Sequence, residues 1–157
     1  MAVCRQGGRP FAAARGATAA MVAMFATVVA VAQTPASRST FSGVYTEEQA
    51  KRGQSVYVGE CAFCHAQDLS GNESPALVGE GFSSAWDGQT VGDLFDRVKT
   101  TMPQDSPGRL GLQEYTDLVA FLLSANGFPA GSKELGRDMA VLKLIRWDKN
   151  PKAALPR

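Results

Sequence analysis

Cys61-Ala62-Phe63-Cys64-His65 is the stretch on which the fold turns. Two thiols at this spacing, followed at once by an imidazole, can add to both vinyl groups of haem while the imidazole reaches the iron. Other uses of a Cys-x-x-Cys pair fit less well. A structural zinc site takes four ligands, whereas downstream of residue 32 the chain offers Cys61, Cys64 and its single histidine. A thioredoxin-like redox pair sits beside strand-helix-strand patterning, and no strand pattern is legible here. A disulfide is the default for two cysteines in an oxidising space, but a histidine directly after the second thiol argues for haem.

An iron held by one imidazole has an opposite face, and methionine thioether is the soft donor that favours ferrous iron there. Met1, Met21 and Met24 precede residue 32, which leaves Met102 and Met139. Met102 lies in a turn braced by Pro103, free to point inward, whereas Met139 reads as packing of a short helix in the tail. Met102 is therefore the expected second ligand opposite His65. The imidazole needs its other nitrogen bound to fix its orientation, and the carbonyl of Pro75 in the following loop is the expected acceptor. Leu77, Phe82, Trp86, Phe95 and Leu118 are apolar residues that can wall the haem or serve as ordinary core. The Trp86 indole, Arg97 and Lys99 are candidate donors to the haem propionates.

Around the motif the pattern is helical. Thr46 with Gln49 three residues on has the form of a capping box, and Glu47 and Glu48 favour the first turn of a helix. Ala50, Gly53 and Tyr57 recur at helical spacing and lead into Cys61; a mid-helix glycine suggests that another backbone crosses closely at Gly53. Residues 66–89 read as a long loop, and a loop of that length in a small domain wraps or binds something. Thr90 and Asp93 cap a second helix with Val91, Leu94, Phe95 and Val98 on one side, ending before Met102-Pro103. Leu112, Tyr115, Leu118, Val119 and Leu122 mark a third, stopped by Asn126-Gly127. A short last helix is expected within 139–145. No internal repeat is visible.

Residues 1–32 have the form of a signal peptide: Arg5, Arg9 and Arg15, an uncharged run from Ala17 to Ala32, and the small-x-small site Ala30-Val31-Ala32. Cleavage would begin the chain at Gln33 and remove Cys4. The run is shorter and richer in Ala and Thr than a spanning helix, so membrane association is expected only if the leader stays uncleaved. Residues 33–43 read as a flexible polar arm, 44–127 as the domain, and 128–157 as a basic extension. The full chain has 16 Lys and Arg against 15 Asp and Glu. The balance is uneven, with five basic and twelve acidic residues in 44–127 against seven and three in 128–157. An acidic body with a basic tail offers no concentrated basic surface for nucleic acid and suits charge-guided contacts with proteins.

Over residues 44–127 the chain resembles the class I mono-haem cytochrome c family. Gly53, Tyr57, Cys61, Cys64 and His65 match that family's first helix and haem motif, and Leu118-Val119-Ala120-Phe121-Leu122 is similar to its last helix. The resemblance implies an all-α cytochrome c fold, three to four main helices and long loops around one covalently bound haem. It also implies that these two helices cross at Gly53, with Tyr57 and Phe121 as aromatic partners. Pro75-Ala76-Leu77 resembles the family's loop whose Pro carbonyl accepts from the haem histidine, and Thr101-Met102-Pro103 its methionine-ligand segment. Ala66 stands where that family often has Gly. A narrower likeness, at residues 82–86, Glu114-Tyr115 and residues 126–131, is to cytochromes associated with pyrroloquinoline-quinone (PQQ) alcohol dehydrogenases.

These likenesses imply an exported, periplasmic electron carrier. It would move single electrons between a dehydrogenase, PQQ-dependent by the narrower likeness, and a terminal oxidase or other cytochrome. The alternative is a haem enzyme or a gas- or peroxide-binding sensor with an open iron face. A zinc or disulfide module stands behind both.

Overall fold

The first long helix starts where the Thr46 hydroxyl accepts the Gln49 N–H at 3.2 Å, with Glu47 and Glu48 in the positive first turn. The structure is a computed structural model and describes residues 37–149. The expected leader of residues 1–32, the first residues of the arm and the end of the tail lie outside the described residues. In chain order the elements are β1 (Arg38–Ser39), a single 3-10 turn (Thr40–Ser42), α1 (Glu47–Glu60), α2 (Ala62–His65), α3 (Gly79–Trp86), α4 (Val91–Thr101), α5 (Leu112–Ala125), α6 (Met139–Leu142) and β2 (Ile145–Arg146). The domain is all-α apart from one two-residue strand pair.

The packing centre is the crossing of α1 and α5. α1 buries Gln49, Ala50, Gly53 and Tyr57, and α5 buries Tyr115, Leu118, Val119, Leu122 and Leu123. Gly53 lets the backbones touch: a Cβ there would stand 1.8 Å from the Asp117 carbonyl oxygen. Tyr57 meets Phe121 at the same crossing with ring centroids 5.3 Å apart. The Thr90–Asp93 capping box forms, with the Asp93 N–H donating to Thr90 Oγ1 at 3.1 Å and the Thr90 N–H to Asp93 Oδ2 at 3.0 Å. α4 buries Val91, Leu94 and Phe95 and packs against α5, where Phe95 meets Tyr115. Gly127 follows the end of α5 at φ 78°, the left-handed geometry suited to glycine.

Four expectations need correction. Gln49 does not close a capping box: its buried amide donates to the Leu135 carbonyl at 3.0 Å and accepts the Leu135 N–H at 2.6 Å. A distant backbone segment outcompetes the local cap. Within residues 66–89 the chain forms α3, which the glycines at 79 and 81 disguise as loop. Residues 38–42 are not a flexible arm, because β1 pairs in parallel with β2, Arg38 opposite Ile145 and Ser39 opposite Arg146. Nor does a domain end at Gly127: Phe128, Leu135, Leu142, Ile145 and Trp147 are buried in the same core as α1 and α5. The tail's apolar residues are too widely spaced to show a period, so only the tertiary structure reveals them.

Candidate functional site

The last turn of α1 delivers the motif. The Cys61 N–H donates to the Tyr57 carbonyl at 2.9 Å, and α2 begins at the next residue with the His65 N–H donating back to the Cys61 carbonyl at 3.0 Å. Cys61 and Cys64 are both half-buried and not joined to each other. Burial pushes the Cys61 thiol up to about 11, with the Glu60 carboxylate adding to the effect. A thiol held protonated in this way is unlike the reactive thiolate of an oxidoreductase pair. Among the described residues no three His, Cys, Asp or Glu side chains converge as metal donors, so a four-ligand zinc site lacks its ligands.

His65 is buried, with Nδ1 2.8 Å from the Pro75 carbonyl oxygen. A carbonyl only accepts, so Nδ1 carries the proton and Nε2 keeps a lone pair that a metal could take. The loop that brings Pro75 round is tied on both sides. The Ser74 N–H donates to the Cys64 carbonyl at 3.0 Å and the Gly71 N–H to the His65 carbonyl at 3.0 Å. The Tyr57 hydroxyl donates to the Ala66 carbonyl at 2.5 Å, and Asn126 Nδ2, from the end of α5, donates to the Leu77 carbonyl at 3.0 Å.

Met102 caps the C-terminus of α4, its N–H on the Val98 carbonyl at 2.9 Å. Its own carbonyl accepts from the Tyr115 hydroxyl at 2.9 Å. Tyr115 thus fixes the backbone at Met102, and Tyr57 and Asn126 fix the loop after His65, roles the sequence does not single out because each contact crosses between elements. Met139 starts α6 and packs partly buried against the core.

Trp86 and Arg97 come together, lining with Gln89, Asp93 and Thr101 an open cleft of about 640 Å³ between α3 and α4; Lys99 is not among the residues that line it. Leu77 and Phe82 are partly buried against the core, whereas Phe95 and Leu118 are fully buried. Phe95 packs edge-on to Tyr115 at 6.2 Å, so for that residue ordinary core packing is the better account. Beside the motif Glu60 and Arg109 form an ion pair. Farther along, Lys149 reaches Glu80 at 3.1 Å, which shows the basic tail, as far as it is described, folded back on α3.

The donor set fits haem. Two thiols stand one helical turn apart, not joined to each other, and the buried imidazole beside them has one ring nitrogen on the Pro75 carbonyl and the other left for a metal. Fold and site together define a helical domain that carries haem attached through thioethers. Residues 48–122 match the family model for cytochrome c oxidase, cbb3-type, subunit III, which makes this stretch similar to a cytochrome c domain. Its cofactor is haem c with its iron, covalently bound, and Cys61 and Cys64 stand at the attachment spacing. The chain is also similar to a chain in the crystal structure of the sulfane dehydrogenase SoxCD from Paracoccus pantotrophus, at 19% identity and a TM-score of 0.44. That likeness covers 73% of this chain and spans 64% of the other. No curated protein matches the chain.

Proposed function

We propose that this chain is an exported carrier of single electrons in the periplasm, in which His65 and Met102 would hold the haem iron. Its donor is a dehydrogenase, a quinoprotein by the likeness at residues 82–86 and 126–131, and its acceptor a terminal oxidase or another cytochrome. The leader pattern of residues 1–32 supports export. The observation that carries the reading is the 2.8 Å contact between His65 Nδ1 and the Pro75 carbonyl oxygen. It commits the only histidine of the chain to one tautomer and one orientation, with Nε2 left for a metal.

Bound haem c supplies a one-electron ferric-ferrous couple. The chain's own residues limit rearrangement when that couple cycles. Pro75 holds the His65 ring, Tyr115 and the end of α4 hold the Met102 backbone, and Tyr57 and Asn126 tie down the intervening loop. A site held from both sides before electron transfer needs little motion during it, which serves a carrier better than a catalyst that must admit substrate.

The test uses the protein purified after export. An alkaline pyridine spectrum of haem c, a ferric far-red thioether band and slow carbon monoxide binding to the ferrous form are the expected results. Rapid carbon monoxide binding with no far-red band would replace the carrier with a gas- or peroxide-binding protein. Recovery of the protein with its leader intact in the membrane fraction would overturn the soluble periplasmic placement.

A further inference from the structure

α5 packs against both α1 and α4, whereas α3 takes little part in that packing, and of its eight residues only Ser83 is buried. Gly79 at φ 87° and Gly88 at φ 77° bound it, and nothing lies within 4 Å of a would-be Cβ at either. Glycines in open surroundings at both ends can absorb the φ and ψ changes of a hinge. The chain is fixed just outside them. Before Gly79, the Leu77 N–H donates to the Leu69 carbonyl at 2.9 Å and the Leu77 carbonyl accepts from Asn126 at 3.0 Å. After Gly88, the Thr90–Asp93 capping box anchors the start of α4. Between these anchors the segment is tied to itself: the Gln89 N–H donates to the Trp86 carbonyl at 2.9 Å and its side-chain amide to the Ala85 carbonyl at 2.6 Å. Residues 79–89 can therefore move as one piece while Pro75 and His65 stay in place.

The C-terminal segment holds that piece closed. Trp147 packs edge-on to Phe82 at 5.8 Å; its N–H donates to the Gln89 carbonyl at 2.8 Å and its carbonyl accepts the Gly88 N–H at 3.0 Å. Lys149 adds two bonds, its backbone N–H to Asp87 Oδ1 at 3.0 Å and its ammonium to Glu80 at 3.1 Å. This segment is itself seated on the body of the domain. α6 packs on α4 so closely that a Cβ on Gly92 would stand 2.6 Å from Lys143 Cγ, and β2 is paired with β1.

We infer that residues 79–89 form a hinged flap beside the cleft that Trp86 and Arg97 line, and that residues 146–149 are the latch that keeps it shut. One half of the latch is the buried Trp147; the other is an ion pair between two exposed side chains. The ionic half is the part that salt loosens. Resting on the haem-carrier reading, the tail thus sets how far solvent enters the cleft where the candidate propionate donors meet, without disturbing the His65 ring.

Hydrogen exchange followed by NMR on the full-length ferrous holoprotein tests the latch. Opening of one flap breaks the bonds of the Gly88 and Trp147 amides together, so the two should exchange at a common rate, faster than the amides of α1 and α5. Lys149→Glu and Asp87→Ala alter exposed side chains, and each should speed both amides about five-fold while leaving α1, α5 and the haem spectrum unchanged. Equal acceleration in α1 and α5 would reveal a loss of global stability, and no acceleration anywhere would show that these contacts hold nothing; either result overturns the latch. Salt gives a second check that needs no loss of structure. It should speed the two amides in the wild type, where it screens an attraction, and slow them in Lys149→Glu, where it screens a repulsion. The same sign in both would overturn the ionic half. Absence of haem c from the pyridine spectrum would sink the carrier reading, while the exchange pattern would still decide the latch.

Discussion

Gly53 on α1 and Asp117 on α5 meet backbone to backbone, so closely that a Cβ on Gly53 would lie 1.8 Å from the Asp117 carbonyl oxygen. The two helices cannot separate to make room without loosening Tyr57 from Phe121 and the Arg52 fork from the Asp117 carboxylate. Gly53→Ala should therefore destabilise the holoprotein by about 3 kcal/mol, the upper part of the range for overpacking. Denaturant unfolding measures it. Gly59 lies on the same helix with nothing within 4 Å of its would-be Cβ, and Gly59→Ala should stabilise by about 0.5–1 kcal/mol. Equal effects at both positions would show that helix propensity, and not the crossing, sets the role of Gly53.

Ala66 follows His65 with φ 63° and ψ 156°, a conformation that only glycine adopts freely. The turn is held there by the Tyr57 hydroxyl on the Ala66 carbonyl and by the loop that carries Pro75. Ala66→Gly relieves the strain but frees the unfolded chain, so the net gain should be about 1 kcal/mol. A lowered melting temperature with an unchanged haem spectrum would show that the methyl group packs usefully enough to outweigh the strain.

Asp117 gives a pH dependence with a definite sign. Burial alone would raise its pKa, but hydrogen bonds from Arg52 at 2.9 and 3.0 Å and from Gln113 at 2.7 Å outweigh burial and hold the carboxyl below its usual range. As pH falls the unfolded chain takes up this proton first. The stabilisation is therefore present above about pH 4, the unfolded value, and is lost as pH falls through the lower folded value. Asp117→Asn should cost about 1 kcal/mol near neutrality, a modest figure because Arg52 stays half-exposed. The difference from wild type should shrink in unfolding curves taken at progressively lower pH, and a constant difference would show that packing, not charge, is lost.

What was legible in the sequence is what repeats or is spaced locally. α1, α4 and α5 follow from their apolar periods and caps, and Gly53 from the cost of a glycine inside a helix. The contact of His65 with Pro75 was legible because metal-bound imidazoles need a second-nitrogen partner and the nearby loop offers a carbonyl. The C-terminal segment was not, since Leu135, Leu142, Ile145 and Trp147 become core only through distant partners: Gln49 for Leu135, Arg38 and Ser39 for β2, and Gln89 for Trp147. A chain ended at Ser132 should accordingly lose much of its stability and not merely a charged tail. Cooperative unfolding at wild-type denaturant concentrations after that truncation would contradict the shared core.

Met102 and Met139 separate the site from the packing around it. Both are partly buried and both stand at a helix end, so burial alone does not choose between them. The difference lies in what holds the backbone. Met102 ends α4 with its carbonyl on the Tyr115 hydroxyl at 2.9 Å, while Met139 begins the one-turn α6 that seats Leu142 in the core. Met102→Ala should abolish the far-red ferric band, lower the midpoint potential and open the ferrous iron to carbon monoxide, because thioether is the donor that favours ferrous iron. Met139→Ala should leave all three unchanged and cost about 1–2 kcal/mol of stability, the lower end for a partly buried methionine cut to alanine. Tyr115→Phe refines the comparison: it frees the Met102 carbonyl without touching the thioether, so it should keep the far-red band yet speed carbon monoxide binding. Loss of the band in Met139→Ala and its survival in Met102→Ala would move the ligand to the tail and overturn the assignment.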